Sequence, residues 1–161
     1  MKKILDKLEQ VICVVCMALF VVIAVLIAVQ VFTRYVLSNT LSWSEQAARG
    51  AFIWMIMLYS GVLVRKGGNL GFDIMTQKLP SKLKHLCSFF AEIIILLFSA
   101  YWFYQSFQLC LSFQDFSFSG LKVPYNAIYA AEPAGAFLIA VYTLELILCH
   151  IQDILRKGAE A

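Results

Sequence analysis

Residues 11–29 read VICVVCMALFVVIAVLIAV, nineteen consecutive residues without a charged side chain. A helix of about 20 apolar residues is what crosses the hydrocarbon core of a bilayer. The run is longer than the apolar segment of a cleaved signal peptide, and no small-x-small cleavage pattern follows it. Lys2, Lys3 and Lys7 precede it. We therefore interpret the run as an uncleaved membrane anchor and the first spanning helix.

The composition extends this conclusion to the whole chain. Of the 161 residues, 61% are hydrophobic and 14% are charged, whereas a soluble domain has about 45–50% apolar and about 25% charged residues. Lipid offers the backbone no partners, so apolar runs that do not alternate with polar residues form helices rather than barrel strands. The expected fold class is an all-α membrane protein, a single membrane domain over residues 1–161. The net charge of +3, without a basic cluster, gives no support for nucleic-acid binding.

The hydrophobic pattern predicts four transmembrane helices, packed as a bundle, and one helix that does not span. The spanning helices are expected at about residues 8–35, 42–65, 81–105 and 124–154. The segment at about 69–79 is too short and too polar to cross a bilayer, and a short interfacial helix fits it better. Residues 106–123 are expected to form an aromatic loop.

The distribution of Lys and Arg predicts that both ends of the chain lie in the cytoplasm. Cytoplasmic segments of membrane proteins carry an excess of basic residues. With the N-terminus inside, 10 of the 13 basic residues fall on the inner side. The three on the outer side are Arg34, Arg49 and Lys122. The count therefore favours an N-in/C-in topology.

Local signals mark the ends of two helices. Ser42 or Ser44 can cap the second helix, and Glu45 in its first turn suits the positive end of the helix dipole. Arg65 suits the other end, where glycines follow it. Pro124 is acceptable at the start of the fourth helix, because the first turn needs no N–H at that position.

Two pairs of residues could carry redox chemistry. Cys13 and Cys16 form a C-x-x-C, and His85 and His150 lie at similar depth near the cytoplasmic ends of their helices. A membrane redox protein, with metal or haem held by these pairs, is therefore one alternative. We favour the interpretation that the five cysteines are small apolar side chains and that the histidines are satisfied in the membrane interface.

Charges inside the membrane are costly and normally face partners. Arg49 and Glu132 share the outer leaflet by topology, so they are a plausible pair. Glu92 and Glu145 lie in the inner half of the membrane, near Arg65. These residues suit polar contacts that hold helices together; the alternative is a stand-alone oligomeric carrier that uses Glu92 or Glu132.

A resemblance to a known family begins at residues 41–49, which read LSWSEQAAR. This stretch resembles the W-[ST]-E-E-x-x-R element in the small membrane subunit of TRAP (tripartite ATP-independent periplasmic) transporters. Arg65 and Asp73 are similar to the family's R-x-x-x-H-x-x-[VI]-D pattern, and LKVP at 121–124 is similar to its L-x-x-P start of the last helix. Two departures from these patterns matter, since Gln46 replaces the second acid and Asn69 replaces the histidine.

The resemblance covers essentially the whole chain and supplies a set of candidate residues for subunit contact or structure. They are Trp43, Ser44, Glu45, Arg49, Arg65, Asp73, Pro124 and Glu132. No residue of this chain is expected to be catalytic, to bind substrate or to bind a metal.

The resemblance implies a subunit of a bacterial inner-membrane transporter rather than an enzyme. In such a system a periplasmic binding protein captures an organic acid, for example a dicarboxylate or sialic acid, and a large permease subunit imports it with sodium. The small subunit would enlarge the stationary scaffold of the large permease and help to dock the binding protein. Its partners would be these two proteins and membrane lipids. No cofactor is expected in this chain, since sodium coupling belongs to the large subunit.

Overall fold

A computed structural model of the chain describes residues 2–37, 42–66, 81–112 and 124–159. Its elements are all helices: α1 (Lys2–Val36), α2 (Ser42–Arg65), α3 (Ser81–Ser112), α4 (Tyr125–Tyr129) and α5 (Ala131–Ala159). Four stretches are long and apolar enough to cross a membrane, and the fourth combines α4 with most of α5. The all-α class and the four spanning helices are thus confirmed. The interfacial helix expected at about 69–79, with Asp73 in it, lies outside the described residues.

Three helices are longer than the apolar runs predict. Helix α1 begins at Lys2 instead of residue 8, α3 continues to Ser112 instead of ending near residue 105, and α5 reaches Ala159 instead of residue 154. The aromatic loop expected from residue 106 therefore begins as helix. The hydroxyl of Ser106 donates to the carbonyl of Trp102 at 2.7 Å. Because this hydroxyl bonds within its own helix, the serine does not end the helix.

The fourth spanning segment is interrupted near its start. Pro124 has an extended backbone (φ −68°, ψ 146°) and immediately precedes α4. Pro133 has no N–H to donate to the carbonyl of Tyr129, so the helical hydrogen bonding lapses there. Ala130 keeps right-handed helical angles (φ −61°, ψ −17°). The chain therefore passes from α4 into α5 without a loop.

The spanning helices form an open row rather than a closed bundle. Helix α1 packs on α2, α2 packs on α5, and α5 packs on α3. Within the described residues, no other pair of long helices makes more than marginal contact. Consequently α1 and α3 are the two edges of the row, and large apolar side chains are exposed along every long helix.

The centre of the row is the close approach of α2 and α5. A Cβ atom on Gly135 would lie 2.8 Å from the carbonyl oxygen of Met57, so only glycine fits at this crossing. Val62 and Tyr142 are fully buried in the same contact. Small residues such as Gly135 let helix backbones approach closely in a membrane. Close packing matters there because the hydrophobic effect does not drive helices together in lipid.

Candidate functional site

An ion network around Arg65 joins three of the four spanning segments. From α2, the guanidinium donates to Glu145 on α5, with Nε–Oε2 at 2.8 Å and Nη2–Oε1 at 3.1 Å. It also donates from Nη1 to Glu9 at 2.6 Å and from Nη2 to Asp6 at 2.5 Å, both on α1. We call these four residues the Arg65 cluster. Three carboxylates from two neighbouring helices thus converge on one cation.

Most of the Arg65 cluster is withdrawn from the surface. The exposed fractions of the side chains are 13% for Arg65, 13% for Glu145 and 20% for Glu9, whereas Asp6 is 57% exposed. The guanidinium carbon also lies 5.5 Å from the ring centroid of the buried Tyr142, which is within cation–π range. A cation held this way ties α1, α2 and α5 to one another near one end of each helix or, in α5, near its middle.

Lys66 extends the network beyond the spanning segments. Its Nζ lies 3.1 Å from Oε1 of Glu9. This hydrogen bond and the negative charge of Glu9 raise the pKa of the Lys66 ammonium. The lysine therefore remains charged at neutral pH and offsets part of the negative charge of the three carboxylates.

Asp6 and Glu9 were missed by the sequence reasoning, because Asp6 precedes the expected start of the first helix at residue 8 and Glu9 lies just after that start, before the apolar run. A signal for them existed. Their spacing of three residues places both carboxylates on one face of a helix, next to the anchor. If the first helix is taken to begin at the charged residues before the apolar run, this acidic face is predicted.

Glu92 does not join the Arg65 cluster, so that part of the expectation was wrong. It lies on α3, the edge helix that has α5 as its main neighbour. Its carboxylate oxygens lie 2.9 Å and 3.0 Å from Nδ1 of His150 on α5. The contact joins α3 to α5 and engages a histidine that had been considered for haem. The side chain of His85 lies outside the described part of the structure.

The expected pair between Arg49 and Glu132 is also wrong. Nη2 of Arg49 lies 3.1 Å from Oε1 of Glu45, one turn earlier on the same helix, and both side chains are more than half exposed. Glu132 lies in the first turn of α5, and among the described residues it has no ion-pair partner. Arg49 lines a cavity together with residues of α1, among them Gln30.

The remaining motif residues have structural positions at the same end of α2. The hydroxyl of Ser44 is buried and donates to the carbonyl of Leu26 on α1 at 3.2 Å. Ser44 therefore links two helices and does not cap its own helix; the side chain of Ser42 lies outside the described part. Trp43 is 44% exposed. Trp54, further along α2, donates from Nε1 to the carbonyl of Ala127 on α4 at 3.0 Å.

An open groove on the surface of the protein runs between α1 and α2. It consists of two neighbouring parts, of about 740 Å³ and about 460 Å³, and Phe20 and Met55 line both of them. We call it the α1–α2 trough. Its lining runs along α1 from Cys13 to Gln30 and along α2 from Glu45 to Leu63.

The two cysteines of the C-x-x-C lie in the apolar part of this trough. Cys13 and Cys16 are both free thiols. Cys16 is buried, with its Sγ 3.7 Å from the carbonyl oxygen of Met55. In the part of the chain that the structure describes, no three His, Cys, Asp or Glu side chains are placed to hold a metal ion.

Comparisons with known proteins confirm the family that the sequence motifs resemble. Residues 23–153 match the family described as tripartite ATP-independent periplasmic transporters, DctQ component. The sialic acid TRAP transporter permease protein SiaT of Haemophilus influenzae is 29% identical over 126 residues, which are 75% of this chain and 20% of that protein. The sialic acid TRAP transporter small permease protein SiaQ of Vibrio cholerae is 26% identical over 96 residues, 60% of this chain and 54% of SiaQ.

A third relative is the isethionate TRAP transporter permease protein DctMQ of Oleidesulfovibrio alaskensis. It is 27% identical over 106 residues, which are 64% of this chain and 16% of that protein. The chain thus spans about half the length of SiaQ and a fifth or less of the two longer permeases.

Proposed function

Because the chain belongs to the DctQ-component family of TRAP transporters, we propose that it is the small permease subunit of such a transporter and extends the stationary scaffold of a large permease subunit. Members of this family are components of membrane transporters and not enzymes. The chain is accordingly a multi-pass protein of the bacterial inner membrane.

The observation that carries the scaffold role is the open row of helices fastened by the Arg65 cluster. A row one helix thick exposes apolar surface on both faces, so one face can cover a partner while the other faces lipid. The contacts of Arg65 with Glu9 and Glu145 hold three helices in a fixed relation. A stiff wall of this kind adds membrane-anchored area to a partner whose transport domain must move past something stationary.

The lengths of the relatives support a large permease as the partner. In SiaT and DctMQ, a segment similar to this chain accounts for 20% and 16% of the protein. Both proteins are named permeases, so in them the similar segment shares a polypeptide with four fifths or more of additional sequence. The same association between separate chains is the simplest equivalent arrangement.

The finer parts of the proposal concern solute, coupling and orientation. The imported solute is an organic acid of the sialic acid or dicarboxylate type, taken from a periplasmic binding protein. Sodium drives import through sites in the large subunit. The C-terminal end of α2, with Arg65, faces the cytoplasm, in keeping with the distribution of basic residues. The opposite end, near Arg49, offers periplasmic surface to the binding protein.

Reconstitution tests this proposal directly. Proteoliposomes would contain this chain alone, the large permease alone, or both, with the binding protein, labelled sialic acid and an inward sodium gradient. Uptake is expected only with both subunits and only with sodium. Uptake by this chain alone would establish the stand-alone carrier instead, and full uptake by the large permease alone would remove the need for a scaffold subunit.

The redox alternative has a separate test. Replacement of both Cys13 and Cys16 by Ala is expected to leave uptake by the two-subunit transporter within about twofold of wild type, because the thiols serve here as small apolar side chains. Loss of uptake at normal expression would restore a chemical role for the pair.

A further inference from the structure

We propose that the α1–α2 trough is the seat of a transmembrane helix of the large permease subunit. This inference rests on the proposed function and adds the face by which the two subunits meet. Four features of the trough support it: its length, its cross-section, its chemistry and its position at one edge of the row.

The length of the trough favours a helix over a lipid chain. On α2 the lining residues recur every three or four positions from Glu45 to Leu63, a rise of about 27 Å along a helix. On α1 they run from Cys13 to Gln30, about 26 Å by the same rise. The hydrocarbon core of a bilayer is about 30 Å thick. An acyl chain belongs to one leaflet and covers half of this distance, whereas a spanning helix covers all of it.

The cross-section of the trough suits the ridge of another helix. Its floor contains small side chains that are already buried, among them Cys16 and Ala48. Its walls are large and exposed, with Phe20, Phe52 and Tyr59 exposed by 63%, 48% and 40%. Small residues in the floor let a second backbone approach. The tall walls would pack on both sides of an inserted row of side chains.

The chemistry of the trough changes along its length, and this change defines the occupant. One part is apolar, while the other ends at Gln30, Glu45 and Arg49. Charged side chains in spanning segments normally face protein or water rather than lipid. The Glu45–Arg49 pair is open to the trough and presents both a carboxylate and a guanidinium. The occupant is therefore an apolar helix with a polar or charged residue near the end that lies beside Arg49.

The trough also lies at the edge of the row, where α2 is the only major neighbour of α1 among the described residues. A helix seated there would give α1 a second neighbour. It would also place the large permease against α1 and α2, the two helices that the Arg65 cluster ties to the rest of the row. The interface would then include the two helices that the Arg65 cluster joins to α5.

Photo-crosslinking in cells that co-express the large permease tests the seat. Benzoylphenylalanine would be incorporated at Phe52 or Tyr59 in the trough, with Phe98 on α3 as the matched aromatic control, 61% exposed. Both trough positions are expected to crosslink to the large permease at least tenfold more than Phe98. Equal labelling from all three positions would indicate random collision and overturn the inference.

A second variant measures the polar end. Arg49→Gln is expected to weaken co-purification of the large permease about tenfold, while the isolated chain remains folded. If the trough positions label only lipid while the two chains still co-purify, the large permease uses another face and the inference fails, although the proposed function stands. If the wild-type chain neither crosslinks nor co-purifies with any large permease, the proposed function fails as well.

Discussion

Removal of the Arg65 guanidinium should destabilise the protein far more than removal of Arg49, although both belong to α2. Arg65→Gln leaves Glu145 and Glu9 with their carboxylates largely buried and without their main cation. Removing one partner of a buried ion pair costs about 3–5 kcal/mol. The contact with Asp6, which is 57% exposed, adds about 0–1 kcal/mol at most.

We expect a loss near the lower end of that range, about 3 kcal/mol, because Lys66 remains beside Glu9. Arg49→Gln is the matched control. Its only ion-pair partner among the described residues is Glu45, and both side chains are more than half exposed, so the expected loss is below about 1 kcal/mol.

The measurement is reversible unfolding of the purified chain in mixed micelles of increasing dodecyl sulfate fraction, followed by circular dichroism. The double variant Arg65→Gln/Glu145→Gln adds a check, because neutralising the stranded carboxylate should recover part of the loss. If Arg65→Gln and Arg49→Gln differ by less than about 1 kcal/mol, the Arg65 cluster does not fasten the helices and the scaffold argument loses its basis.

Four other substitutions test the packing between α2 and the fourth spanning segment. Gly135→Ala places a Cβ 2.8 Å from a backbone oxygen of α2 and should cost about 1–3 kcal/mol in the same assay; Gly50→Ala, whose Cβ would meet only a flexible side chain at 3.1 Å, should cost less, and the reverse order would contradict the proposed crossing. Trp54→Phe removes the 3.0 Å hydrogen bond to α4 and should cost about 0.5–1.5 kcal/mol, detectable as a shifted unfolding midpoint; no shift would mean that the bond is not formed in the membrane. Tyr142→Phe should leave stability unchanged or raise it by up to about 1 kcal/mol, because the buried hydroxyl has no hydrogen-bond partner among the described residues; a clear loss would point to a partner for it.

The sequence was sufficient for the parts of the fold that depend on local pattern. The spanning segments follow from apolar runs such as residues 11–29, and the bounds of α2 were predicted as observed, at residues 42 and 65. The pair of Glu45 and Arg49 was also visible in principle, since residues four apart face each other on a helix. It was overlooked in favour of a more distant partner.

The contacts between helices could not be read from the sequence in the same way. Hydropathy places a residue at a depth in the membrane but does not say which helix lies beside it. Glu92 and Glu145 were therefore assigned the same environment. In the structure Glu92 contacts His150 on α5, whereas Glu145, also on α5, belongs to the Arg65 cluster. The row order depends on which helices can approach closely, and Gly135 signals that only when its partner on α2 is known.

The order of helices in the row has a consequence for how the protein is made. Helix α5, which lies between α2 and α3, is the last of the four spanning segments to leave the ribosome. Until it enters the bilayer, α3 lacks its principal neighbour and Arg65 lacks the carboxylate of Glu145. Helices α1 and α2 can associate as they emerge, but α3 remains separate from them in the membrane until α5 is inserted. The row is therefore completed by one of its two inner helices, after the last spanning segment has been synthesised. A chain that ends before residue 131 would leave α3 in lipid without its main neighbour.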